Sequence, residues 1–167
     1  MPAVDTNILV RFIVRDDALQ LESVIRLMRQ CVDCGELIFV PVTVLLELEW
    51  VLRARFNFSK EEVIEAFDAL LAADALVFES QLAVNVALFT YPLVRADFAD
   101  CLHLALVNQS GECPMFTFDR RAAEMDGARP LSTASLDETD LSAWKTDAAS
   151  GSYRPPRVSA PWTASPG

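Results

Sequence analysis

Short, continuously apolar runs alternate with segments of helical period, and this alternation constrains the chain more than any other feature. Residues 37–40, Leu-Ile-Phe-Val, contain no polar position and stop at Pro41. A strand that is apolar on both faces must be covered on both, as in a parallel sheet packed between helices. Residues 2–4 and 115–118 read as further buried strands, residues 76–78 as a short edge strand, and a last strand is expected near Leu131. Strands and helices in alternation predict an α/β fold, a three-layer α/β/α domain with a mostly parallel central sheet.

Local signals place the helices. Ile8, Leu9, Phe12 and Ile13 recur on one face after the first strand, and Asp5 or Thr6 stands where a cap belongs. Residues 17–34 form an amphipathic helix with Leu21, Val24, Ile25, Leu27 and Met28 inward, ended by Gly35. Thr43 is expected to cap a helix reaching about Phe56, with Val44, Leu45, Leu48, Val51 and Leu52 on its apolar face. Ser59 and Glu62 have the spacing of a capping box that opens the next helix. Residues 82–89 and 97–109 give two more, the second ended by Gly111, and residues 120–125 a short one before a turn at Gly127.

The chain has 167 residues, 52% of them apolar, enough for one domain with a full core. Beyond about Ser132 the composition shifts to Ser, Thr, Ala, Pro and Gly. Residues 1–144 are therefore expected to form the domain and residues 145–167 a tail without fixed fold. No apolar run approaches the ~20 residues of a membrane span, and no leader-like segment opens the sequence, so no membrane is expected and the cytoplasm is the expected compartment. The four cysteines include a CxxC at Cys31 and Cys34 with no second pair to complete a zinc site, so they read as apolar fillers or bystanders. A net charge of −10 argues against non-specific coating of nucleic acid, while allowing a grip at one site through metal ions.

Four acids stand in unusual places. Asp5 and Asp119 each follow a strand, Glu47 lies one turn into an apolar helix, and Asp100 lies near the start of another. Each has an ordinary structural role open to it: a cap at Asp5, a solvent-facing pair with Arg53 for Glu47 or Glu49, dipole compensation at Asp97 and Asp100, a turn at Asp119. Their joint placement near strand exits and helix starts points to one edge of a parallel sheet, where sites gather. Carboxylates brought together are tolerable only around a cation, so the pattern indicates Mg²⁺, with Mn²⁺ as a substitute, and phosphoryl chemistry. Such chemistry needs no imidazole base, which suits a chain whose single histidine, His103, reads as a core or interhelical residue. There is no glycine-rich phosphate loop and no nucleophile elbow.

In order, VDTNILVRFI, PVTVLLELEWVL, ADFADCLHLA and FTFDRRA resemble the motifs of the PIN-domain ribonucleases, most of all the VapC toxins of bacterial type II toxin–antitoxin systems. The resemblance runs from about residue 2 to residue 135. It implies a metal-dependent endoribonuclease acting on structured RNA such as transfer RNA, a homodimer, and a VapB-type antitoxin partner. By position it makes Asp5, Glu47, Asp100 and Asp119 the acids of the site, with Asp5, Asp100 and Asp119 holding metal and Glu47 or Asp97 as further ligands. It favours Glu47 over Glu49 and Asp100 over Asp97, and gives Thr6, Asn7 and Thr117 supporting roles. Substrate-binding residues are left undefined. The negative charge suits an antitoxin segment that lays an Arg or Lys among the acids. Two other readings stand beside it: a housekeeping RNA-processing nuclease of the same superfamily, and a non-catalytic module whose acidic groove binds a basic peptide.

Overall fold

The computed structural model describes residues 1–131, so the expected domain boundary at 144 and the expected tail lie outside the described residues. The described residues fall into two compact units, Met1–Leu106 and residues 107–131.

The first unit is built on strand β1 (Ile38–Val40), paired in parallel with β2 (Leu76–Phe78) in the register Ile38 to Leu76 and Val40 to Phe78. All four of these side chains are buried, while Phe39 on the other face of β1 is half-buried and Leu37, before the strand, is exposed. The N-terminal strand segment flanks β1: Ala3 bridges Phe39 in parallel, and the Phe39 amide donates to the Pro2 carbonyl at 2.8 Å. The chain then turns into helix α1 (Thr6–Val14), which packs against α2 (Ala18–Asp33) and α3 (Val42–Phe56). Leu9, Val24, Leu45, Leu48 and Leu52 bury the shared faces.

Side-chain caps set where two of these helices begin. Asp5 caps α1 by accepting from the Ile8 amide at 3.1 Å, and Asp17 caps α2 by accepting from Leu19 and Gln20. Helix α3 corrects the expectation for Thr43, which lies inside the first turn, exposed, while Pro41 holds the cap position without a side-chain bond. A distant residue does that work instead: Glu79, at the exit of β2, accepts from the Val42 amide at 2.9 Å. Helix α4 (Lys60–Leu71) opens with the expected capping box of Ser59 and Glu62. Helix α5 (Gln81–Thr90) runs into a 3-10 turn, Tyr91–Leu93, and then α6 (Phe98–Ser110). Phe98 meets Phe67 and Tyr91 edge to face at 5.3 and 5.7 Å, an arrangement that suits the ring quadrupoles.

In the second unit β3 (Met115–Thr117) pairs in parallel with β4 (Ala128–Pro130). The expectation of a buried strand at 115–118 is corrected: the strand ends at Thr117, Met115 and Thr117 are half-buried, Phe116 on the opposite face is 43% exposed, and Phe118 beyond the strand is 69% exposed. The helix expected at 120–125 is one 3-10 turn, Ala122–Glu124. Gly127 takes the expected turn at φ +93°, a conformation L side chains rarely adopt. The described residues thus form an α/β fold, rich in helix, whose paired strands are all parallel. None of their helices is long and apolar enough to cross a membrane.

Candidate functional site

The first unit ties Asp5, Thr6, Asn7 and Glu47 into two hydrogen-bonded pairs, Asn7 with Asp5 and Thr6 with Glu47. Asp5 leaves the N-terminal strand segment as the cap of α1, with one carboxylate oxygen on the Ile8 amide. Its other oxygen accepts from the Asn7 side-chain amide at 3.5 Å, a long contact. Thr6, buried, donates its hydroxyl to Glu47 Oε2 at 2.5 Å and so ties the start of α1 to the middle of α3 across 41 residues. Asp5 and Glu47 are both exposed, and neither forms an ion pair among the described residues.

Glu47 and Glu49 separate sharply. Glu49 is half-buried, accepts from the Tyr91 hydroxyl at 2.9 Å and lies 3.7 Å from Arg53. Burial pushes its carboxyl above the ordinary value, against the lowering effects of the Tyr91 bond and Arg53. Burial, and then the Glu49 charge, likewise push the Tyr91 phenol up. Arg53 is thus the partner of Glu49, and the polar needs of Glu49 are met inside the fold. Lys60 completes this cluster, donating to the Val94 carbonyl at 3.0 Å with its ammonium 4.0 Å from the Tyr91 ring centre. Nothing in the sequence around Tyr91 or Lys60 marks this arrangement, since it is made by residues 42 apart in the chain.

At the start of α6, Asp97 stands in the cap position and its amide donates to Asp100 Oδ2 at 3.3 Å. Asp100 therefore turns one oxygen back on its own helix, the reciprocal half of a capping box. The carboxylate of Asp97 is exposed and accepts no hydrogen bond among the described residues. Cys101, next to Asp100, is buried, and burial pushes its thiol up to about 11. None of the four cysteines is in a disulfide; Cys31 is also buried and Cys34 exposed. His103 is exposed, not the core or interhelical residue expected, because the inward face of α6 is taken by Cys101, Leu102, Leu104 and Ala105.

In the second unit Asp119 follows β3 with Phe118 between them. Its carboxylate accepts from the Arg121 amide at 2.6 Å and the Ala122 amide at 3.3 Å, and its own amide donates to Thr117 Oγ1 at 3.0 Å. It is exposed, without an ion pair among the described residues. Hard carboxylate oxygens of this kind suit a divalent cation such as Mg²⁺. Among the described residues, however, no three Asp, Glu, His or Cys side chains are grouped so as to hold a metal ion.

Over residues 3–128 the sequence matches the PIN domain. The chain belongs to the PIN domain family. It is also 24% identical over 121 residues to a VapC ribonuclease of Aquifex aeolicus (strain VF5), an alignment that covers 72% of this chain and 89% of that protein. The PIN match spans Asp5, Thr6, Asn7, Glu47, Asp97, Asp100, Thr117 and Asp119 together.

Proposed function

We propose that this PIN domain protein is a metal-dependent endoribonuclease, the toxin of a VapBC-type toxin–antitoxin pair, acting on structured RNA such as transfer RNA. The observation that carries the reading is the Thr6 to Glu47 hydrogen bond. It fixes an exposed carboxylate of α3 beside the strand exit that presents Asp5, so two acids distant in sequence share one place. Family membership and the similarity to a protein named as a VapC ribonuclease support the nuclease class.

In this reading Asp5, Asp100 and Asp119 would hold Mg²⁺, or Mn²⁺ in its place, and Glu47 or Asp97 would complete the set. When bound, the ion supplies an acidified water and offsets charge on the phosphate oxygens. The chain's own part is positional. Thr6 keeps Glu47 in one rotamer and Asn7 steadies the outer oxygen of Asp5. Thr117 holds the amide of Asp119 and so the turn that presents its carboxylate.

A VapB-type antitoxin with a basic segment fits the net charge of −10, an Arg or Lys replacing the cation among the acids. A homodimer fits the outward face of α5, where Leu82, Val86 and Phe89 are 48%, 45% and 75% exposed at helical spacing. A cytoplasmic setting goes with such a role. The test is RNA cleavage in the presence of Mg²⁺ by Asp5→Asn and Asp100→Asn. Loss of cleavage in both supports the reading, and cleavage at the parent rate by both would remove it.

A further inference from the structure

Helix α3 carries an outward stripe of Thr43, Glu47, Trp50 and Ala54, all exposed and spaced four, three and four residues apart. Trp50 is 66% exposed in the middle of it. Residues three apart on a helix are surface neighbours, with Cβ atoms about 5–6 Å apart. The indole therefore stands one turn from Glu47, with Arg53 one turn further on. An exposed tryptophan is costly in water, and the unusual point is its surroundings.

We propose that Trp50 is a nucleobase-stacking residue, on which a base next to the scissile phosphate lies flat. The proposal rests on the nuclease reading above. Single-stranded RNA is gripped by stacking of its bases on aromatic rings, a contact that tolerates any base because every base has a π face. Position and charge both favour RNA here. Glu47 is held by Thr6 at the site where the phosphate is attacked, so a ring one turn away is within reach of an adjoining base. Arg53 is only loosely engaged by Glu49, at 3.7 Å, and can turn its guanidinium toward a neighbouring phosphate. A protein partner would need a different surface. The stripe and the adjoining Arg53 place one ring among a hydroxyl, a carboxylate, a methyl and a guanidinium, whereas α5 offers Leu82, Val86 and Phe89 as the continuous apolar face a second chain would cover.

The experiment compares the full-length parent with Trp50→Ala and Trp50→Phe. Cleavage kinetics are followed on a fluorescent RNA hairpin with Mg²⁺. Binding of the same RNA is measured by anisotropy in an Asp5→Asn background, and Mn²⁺ binding by calorimetry. Loss of one stack is expected to raise KM and the RNA dissociation constant about tenfold. The turnover number should stay within about threefold, Mn²⁺ binding should not change, and Trp50→Phe should recover most of the loss. Unchanged RNA binding by Trp50→Ala overturns the proposal. So does a change in sedimentation or in antitoxin binding while RNA affinity holds, which would make Trp50 a protein contact. If the parent neither cleaves RNA nor binds Mn²⁺, the nuclease reading itself fails, while the anisotropy comparison still decides the stack.

Discussion

Asp5 and Asp119 occupy the same kind of place and are supported in opposite ways. Each follows a short strand, and each spends a carboxylate oxygen on amides two or three residues ahead. At Asp119 the support stays local, reaching only to Thr117. At Asp5 the next residue, Thr6, reaches across 41 positions to Glu47. A local turn can hold one acid in place, but only tertiary packing can bring a second acid from another helix to stand beside it. The first region is thus an assembled site, and the second a self-contained turn that presents one acid.

The largest expected effect tests what the two acids share. Asn caps a helix about as well as Asp, so Asp5→Asn and Asp119→Asn should leave thermal unfolding nearly unchanged while RNA cleavage falls at least about 100-fold. A parallel loss of stability and activity would reduce both residues to caps. The next effect tests how they differ. Thr6→Val leaves Glu47 without its donor and should lower kcat/KM and Mn²⁺ affinity by about 10–100-fold, as loss of an orienting partner does. Thr117→Val should cost only a few-fold, since Asp119 keeps its two amides. Equal losses would erase the distinction between assembled and self-contained support.

A smaller effect separates Glu47 from its neighbour Glu49. Burial holds the Glu49 carboxyl above its ordinary value of 4.5, so the folded state binds its proton more tightly than the unfolded chain does. That contribution to stability is full below the unfolded value and is lost as pH rises through the raised one. Urea unfolding of the parent should therefore include a decline beginning near pH 4.5 that Glu49→Gln lacks, with cleavage retained. The smallest effect calibrates a cap with no chemical duty: Ser59→Ala should cost about 1 kcal/mol in urea unfolding and leave cleavage unchanged.

Legibility in the sequence followed the same divide. What depends on neighbours in the chain could be read: the Asp5 cap, the Ser59–Glu62 box, the apolar run that became β1, and the turn at Gly127. What depends on distant residues could not. Thr43 looked like the cap of α3 because the group that accepts from the first amide of that helix, the Glu79 carboxylate, is 37 residues away. His103 looked inward because the period of α6 does not reveal which face the fold covers. The turn after Asp119 was legible as a helix because Arg-Arg-Ala-Ala-Glu-Met has helical composition, and the Asp119 carboxylate then holds it to one 3-10 turn. Composition and spacing nominated the acids; the partner that distinguishes Glu47 from Glu49 appears only once α1 and α3 are packed.

The bond from Thr6 to Glu47 has a consequence for when in folding the two acids of the first unit come together. Asp5 comes well before β1 in the sequence, yet the strand segment that carries it docks on β1, and β1 is completed by β2 only at Phe78. A nascent or partly unfolded chain therefore holds the acid without the helix that supports it. The proposed RNA cleavage would therefore be coupled to completion of the fold of the first unit.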